Sequence, residues 1–423
     1  MTERERRRKK REKFEGFPPS GRMKLGYRFS KNYPSGSNEQ GYKTEKNEKK
    51  IKPAVYISIF LVVLIVSFFV SAVLMNVSSK PAAEIQSGNI GTEKKLNVSG
   101  NKAVFLSGDT LSYRSVDDAA GEYVSLGINT VVISFKDASG SLYFMPSDSS
   151  LSYPESLTMA SKTAGDVIDG FQEYGLRVYA YFCCYADDIY ARNNQNLAAY
   201  YLTEDASGEN GEVHALWYDS TKDAHAWMSP FSSDYNYYLN SLIKDVFNLG
   251  VDGIILDCVS LPYATDDGGA VFPGNEDGDR NNVNDAMASF AESFVNSYSS
   301  ISTGLADDIL NVLKYTNSGE PTDLMKLNPA FSVVKFDIDS VPENTPVGSN
   351  LYSSPSKTVP QFTKAAFDEI TRASDSESLS TAVTPLFTVT DKIKSELSAV
   401  KELNMDSYII YSPDERYNSD YFD

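Results

Sequence analysis

The sequence predicts a (β/α)8 TIM barrel of the α/β class, preceded by one transmembrane helix. Three observations carry this expectation: a helix-stop and strand-start unit that recurs four times, strands that are short and continuously apolar, and one apolar span behind a basic N-terminal tail. About 320 residues follow the span and its linker, a length usual for one such barrel.

Residues 1–53 carry 17 Lys and Arg against 7 acidic residues and read as a disordered cytoplasmic tail, because basic flanks stay inside. Residues 54–75 are apolar apart from small hydroxylated side chains and Tyr56, and at 1.5 Å per residue they cross a hydrocarbon core of about 30 Å. A cleaved signal peptide would need a shorter charged region and a shorter apolar run. Residues 76–101, rich in Ser, Lys, Asn and Gly, read as a flexible linker, and residues 102–423 as the barrel domain. Beyond residue 53 the chain holds 22 Lys and Arg against 50 acidic residues, a balance that repels nucleic acid and anionic polymers.

The recurring unit pairs an apolar helix end with Gly or Asn, residues that tolerate the left-handed backbone closing a helix. Its copies are Leu126-Gly127-Ile128 before a strand at 130–135, Tyr174-Gly175-Leu176 before 178–182, Leu249-Gly250-Val251 before 253–257, and Leu403-Asn404-Met405 before 407–411. Runs at 103–106, 331–336 and 382–387, with a weaker one at 301–305, bring the count to eight. Tyr235, Tyr238, Leu239, Leu242, Ile243, Val246 and Phe247 follow the spacing of one buried helix face. Ser115 and Asp118 suit a capping box. A doubly wound sheet shares the alternation, but no glycine-rich phosphate loop follows the first strand.

In such barrels the working residues lie at the carboxyl ends of the strands. Those positions hold Lys136 and Asp137, Asp187 and Asp188, Asp257, Asp307 and Asp308, Asp337 and Asp339, and Glu415 with Arg416. Paired carboxylates suit glycosidic bond cleavage, in which one acid protonates the leaving oxygen and the other attacks or activates water. Any one of these Asp residues also suits a helix cap or turn, the plainer reading for Asp187, Asp307 and Asp308. Asp257 stands out because it ends an apolar strand, where a carboxylate without a role or partner is costly.

With 27 Tyr, 22 Phe and 2 Trp the chain has rings to stack on sugars, and Trp217, Tyr218 and Trp227 fall near the predicted rim. Rings are equally ordinary core material. Cys183, Cys184 and Cys258 are too few for a disulfide scaffold, although neighbouring strand ends could bring a pair together. Residues 275–281 have a calcium-loop composition but lack the acid at the twelfth loop position, and His214 and His225 lack triad partners. No metal and no cofactor is expected.

Several runs resemble the bacterial putative glycosyl hydrolase family, an α-amylase-like group of barrels. They are 126–137 with Gly140, 175–181 with Asp188 and 191–193, Trp217-Tyr218-Asp219, 250–257 with Leu261-Pro262, and 406–413. Three positions depart from the family pattern. Cys258-Val259-Ser260 replaces a run containing arginine, Gly304 stands near the fifth-strand acid and leaves Asp307 as a displaced substitute, and Lys335-Phe336-Asp337 replaces a Tyr-Pro-Ser segment.

The resulting expectation is a membrane-anchored barrel outside the cell that acts on cell-envelope or extracellular polysaccharide. Asp257 would be nucleophile or charge stabiliser, with Asp307, Asp308 or Asp337 as proton donor. Lys136, Asp137, Asp188, Trp217, Tyr218, Trp227 and Glu415 would contact substrate. The alternative is a barrel that has lost catalysis and serves in glycan binding or envelope assembly.

Overall fold

The computed structural model describes residues 100–422, except 110–113, 154, 158–162, 205–211, 220–223, 263–268, 276–278, 377 and 380. The expected tail, the expected span at 54–75 and nearly all of the expected linker lie outside the described residues, among which no helix is long and apolar enough to cross a membrane. Asn101, expected to end the linker, is buried instead. Its N–H donates to Ser407 Oγ at 3.2 Å and its carbonyl accepts from Tyr408 N at 2.9 Å.

The strands in chain order are β1 (Lys102–Leu106), β2 (Thr130–Lys136), β3 (Arg177–Cys183), β4 (Tyr200–Glu204), β5 (Glu212–Leu216), β6 (Gly253–Asp257), β7 (Ser302–Asp308), β8 (Phe331–Phe336), β9 (Thr345–Val347), β10 (Asn350–Tyr352), β11 (Ala382–Thr388) and β12 (Tyr408–Tyr411). Eight of them form a closed parallel barrel in the order β1-β12-β11-β8-β7-β6-β3-β2. These are the eight predicted runs. The antiparallel hairpins β4/β5 and β9/β10 were not expected and decorate the connections after β3 and β8.

The helices are α1 (Val116–Ser125), α2 (Ala164–Glu173), α3 (Asp188–Asn193), α4 (Ser233–Asn248), α5 (Arg280–Ser297), α6 (Ile309–Thr316), α7 (Asp323–Lys326), α8 (Val359–Ser376) and α9 (Ile393–Glu402). Gly127, Gly175, Gly250 and Asn404 adopt φ of +76°, +77°, +88° and +56°, as the four helix stops require. The predicted face of α4 is buried from Tyr235 to Val246, and Ser232 caps its first turn. At α1, Ser115 makes no side-chain cap bond. The capping box belongs to Thr163 and Asp166 at the start of α2, which the sequence reading missed.

Side chains of the eight barrel strands sort into two cores. Ala103, Val132, Tyr179, Tyr181, Ile255, Ala306, Phe331, Val333, Leu386 and Ile409 fill the lumen, and the alternate residues pack outward against the helices. The weak signal of β7 follows from this. Ser302, Gly304 and Ala306 face inward and are small because the Phe331 ring, stacked on Tyr179 at 5.7 Å, takes the space in front of them. A Cβ on Gly304 would lie 2.6 Å from the Phe331 ring, so Gly304 is lumen packing rather than a vacated acid position. The strand also runs three residues further than predicted, so Asp307 and Asp308 end it instead of following it. Gly304→Val should cost about 1–3 kcal/mol through overpacking, read as a lower denaturation midpoint with the fold retained.

Candidate active site

Lumen parity decides which strand-end residues meet. Asp257 on β6, Asp308 on β7 and Lys335 on β8 share the inward parity of Ile255, Ala306 and Val333, on three consecutive strands. The Lys335 ammonium donates to Asp257 Oδ1 at 2.9 Å and to Oδ2 at 2.8 Å. Tyr181 OH also donates to Oδ2, and Cys258 N donates to Oδ1 at 2.7 Å. The Asp257 carboxylate, 5% exposed, is thus met by three donor groups. Burial alone would lower the Lys335 pKa. The Asp257 and Asp308 carboxylates outweigh it and hold the ammonium charged above its ordinary range.

Asp308 differs. Burial, aided by the nearby charges of Asp257 and Asp337, raises its carboxyl above the usual range, opposed by Lys335 and by the Leu310 N–H that it accepts as cap of α6. It stands two residues beyond Ala306, the position level with Asp257, a rise of about 6.6 Å along the strand. Asp308 is therefore the mouth acid suited to carrying a proton. Burial also raises Tyr181, with the adjacent Asp257 charge adding to it, so its phenol remains a donor. Phe105 and Tyr411 complete the lumen ring, the Phe105 ring 4.9 Å from Tyr181 and 5.5 Å from Tyr411.

The other expected site residues divide. Asp307 has the outward parity of Leu305, so it faces α6 rather than the mouth. It accepts from Ser260 Oγ at 3.1 Å and Asn311 Nδ2 at 2.8 Å, and burial pushes it up to about 6 beside a cavity of about 40 Å³. Asp337 closes a turn, accepting from Asp339 N and Ser340 Oγ, while its charge still reaches Asp308. Glu415, in a left-handed conformation at φ +54°, sits by the end of β12 and raises Tyr411 together with burial.

Lys136 is displaced by a bulge. The β2/β3 register shifts between Ser134 and Lys136, which turns Lys136 out of the lumen. There it is fully buried, 3.0 Å from Asp187 Oδ2 and donating to the carbonyls of Cys183, Cys184 and Ala186. Asp137 organises its own loop through Ser139, Ser141 and Tyr143 OH. Trp217 and Trp227 are 0% and 2% exposed, the latter donating to Asp219 at 2.7 Å, so both pack inside. Of the three expected stacking rings only Tyr218 is exposed.

Asp188 pairs with His225 Nδ1 at 3.0 Å and accepts from Ala226 N at 2.8 Å, a carboxylate partner that sequence did not give this histidine. His214 stacks on Tyr200 at 4.0 Å. Cys183 and Cys258 form a disulfide between the ends of β3 and β6, and Cys184 is a buried thiol that burial pushes up. In the run 275–281 that has a calcium-loop composition, Asp279 caps α5, and residues 276–278 lie outside the described residues.

Lys335, Tyr181 and Tyr411 were missed as mouth residues. The available signal was a lysine inside an apolar strand, two positions beyond Val333.

Residues 103–320, just over half of the chain, match the family described as putative glycosyl hydrolase domain. No curated protein matches. Among solved structures, a hypothetical protein from Ruminiclostridium thermocellum is 20% identical, with 48% of this chain and 96% of that one covered and a TM-score of 0.37. The α-L-fucosidase isoenzyme 2 of Paenibacillus thiaminolyticus is 13% identical over 77% of this chain, which spans 47% of the fucosidase, with a TM-score of 0.44. The trehalose-6-phosphate hydrolase of Bacillus licheniformis is 11% identical, covering 74% and 64% of the two chains, with a TM-score of 0.46.

Burial lowers the His225 pKa, but the Asp188 hydrogen bond is the largest influence and raises it above 6.5. Burial raises Asp188, and the His225 bond with the Ala226 N–H outweighs it, leaving Asp188 below 3.8. The histidine contribution is complete below 6.5 and lost as pH rises through its folded value. The aspartate contribution is complete above 3.8 and lost as pH falls through its own. In an NMR titration the midpoint of the His225 signal should fall in Asp188→Asn.

Proposed function

We propose, given that this chain belongs to the putative glycosyl hydrolase domain family, that its barrel mouth binds a glycan and cleaves a glycosidic bond. Asp257 stabilises positive charge developing at the sugar ring, Asp308 donates the proton to the leaving oxygen, and water adds to the sugar carbon and gives up a proton that restores the acid. The observation that carries this is the triplet of inward residues on consecutive strands, Asp257, Asp308 and Lys335, in which one carboxylate is met by three donor groups and the other is raised by burial. Environments that treat two neighbouring acids unequally suit an acid and an ionised partner. Glu415 and Asp337 would border the bound chain.

The polymer would be a cell-envelope or extracellular polysaccharide. Residues 54–75 would anchor the protein in the plasma membrane, with the barrel on the outer side. Release of the chain from membranes by high salt alone would sink the anchor.

A second reading, a barrel that holds glycan without cleaving it, draws on the same ion pair. Lys335 bonds both oxygens of Asp257, an arrangement that suits binding and leaves the carboxylate poor as a nucleophile. Product analysis of the full-length chain on a glycan panel separates the two. Under the hydrolytic reading, Asp308→Asn keeps the α6 cap yet lowers kcat by about 10²–10⁴-fold. The wild-type rate falls on the alkaline side as Asp308 loses its proton at its raised pKa, and this limb is missing in the variant. Glycan binding with no product from wild type leaves only the second reading.

A further inference from the structure

A cavity of about 240 Å³ opens away from the lumen, between the loop after β2, helix α3 and the first turns of α4. Tyr153, Tyr190, Tyr237 and Tyr238 line it with Leu151 and Asp234, and among the described residues its lining contains no cationic side chain. The Tyr190 ring meets Tyr153 at 5.7 Å edge-on and Tyr238 at 4.7 Å. Tyr237 is 65% exposed, whereas Tyr238 is only 4% exposed.

Among the described residues, neither the Tyr190 nor the Tyr238 hydroxyl has a hydrogen-bond partner, although Tyr153 OH accepts from Asn194 Nδ2 at 2.5 Å. A phenol with a buried ring and an unpaired hydroxyl at a cavity is suited to a polar ligand atom there. Burial, with Tyr153 and Asp234 adding to it, pushes Tyr190 up to about 12. The Tyr190 phenol therefore stays neutral, and among the described residues Asp234 is the charged side chain in the lining.

We propose that this cavity binds an ammonium-bearing sugar unit of a glycan, with tyrosine faces and Asp234 taking the cation and the Tyr190 and Tyr238 hydroxyls bonding the ring substituents. Cation–π attraction and a carboxylate favour an amine over its acetylated form, which keeps the ring shape but loses the charge. The acidic balance of the chain beyond residue 53 draws such a polymer in the same direction. The inference deepens the glycan reading above but does not require catalysis at the mouth.

The test is calorimetric titration of the full-length chain with a β-1,4-linked glucosamine hexamer and its fully N-acetylated counterpart, at a pH where the amines are protonated. The glucosamine hexamer should bind about 5- to 10-fold tighter. Tyr237→Ala and Asp234→Asn, both at exposed positions, should each erase that preference with the thermal midpoint unchanged. Equal affinity for the two hexamers, no binding of either, or a preference that survives both substitutions overturns the proposal. If the preference is present while the wild-type chain cleaves no glycan, the hydrolytic reading of the mouth fails and this one stands.

Discussion

In a closed parallel barrel each strand is paired on both sides, and successive side chains alternate between the lumen and the helices. A slip of one residue would move a whole strand's side chains to the wrong face, so closure makes the register strict. That constraint puts Asp257, Asp308 and Lys335 into one mouth and turns Asp307, covalently next to Asp308, towards α6. Where the constraint is relaxed, at the bulge after Ser134, Lys136 leaves the lumen and meets Asp187 instead.

The two lysines show how differently one residue type can serve at strand ends. The Lys136 side chain has no exposure and three carbonyls around its ammonium, a sealed pair that ties the end of β2 to the loop after β3. The Lys335 side chain is 33% exposed and sits between two acids, one of which it holds directly. Charge at the second site can be rearranged by a ligand, because water reaches it. The Cys183–Cys258 disulfide joins the same strand ends that carry the Tyr181 and Cys258 donors to Asp257, so covalent and hydrogen-bonded constraints converge on one carboxylate.

Much of the fold could be read along the chain because it is written in local patterns. A helix stop at Gly175 or Asn404 and an apolar run such as Val131 to Phe135 depend only on near neighbours. The site was legible only in part. Asp257 announced itself as a charge closing an apolar strand, and Asp308 was named among several acids. Lys335 was noticed only as a departure from a family pattern, since its partner lies 78 positions away in the chain. Trp217 and Trp227, expected near the rim, are buried, because ring burial is decided by packing with segments distant in the chain.

By itself the sequence determined the barrel class, the order of its eight strands and the split between a basic N-terminal region and an acidic remainder, because composition and short-range periodicity encode these. Only the tertiary structure decided which acids share the mouth, which lysine meets them, which cysteines join and which tyrosines gather around Asp234. Those outcomes depend on strand register and loop packing between segments distant in sequence. A one-residue difference there, as between Asp307 and Asp308, reverses the direction in which a side chain points.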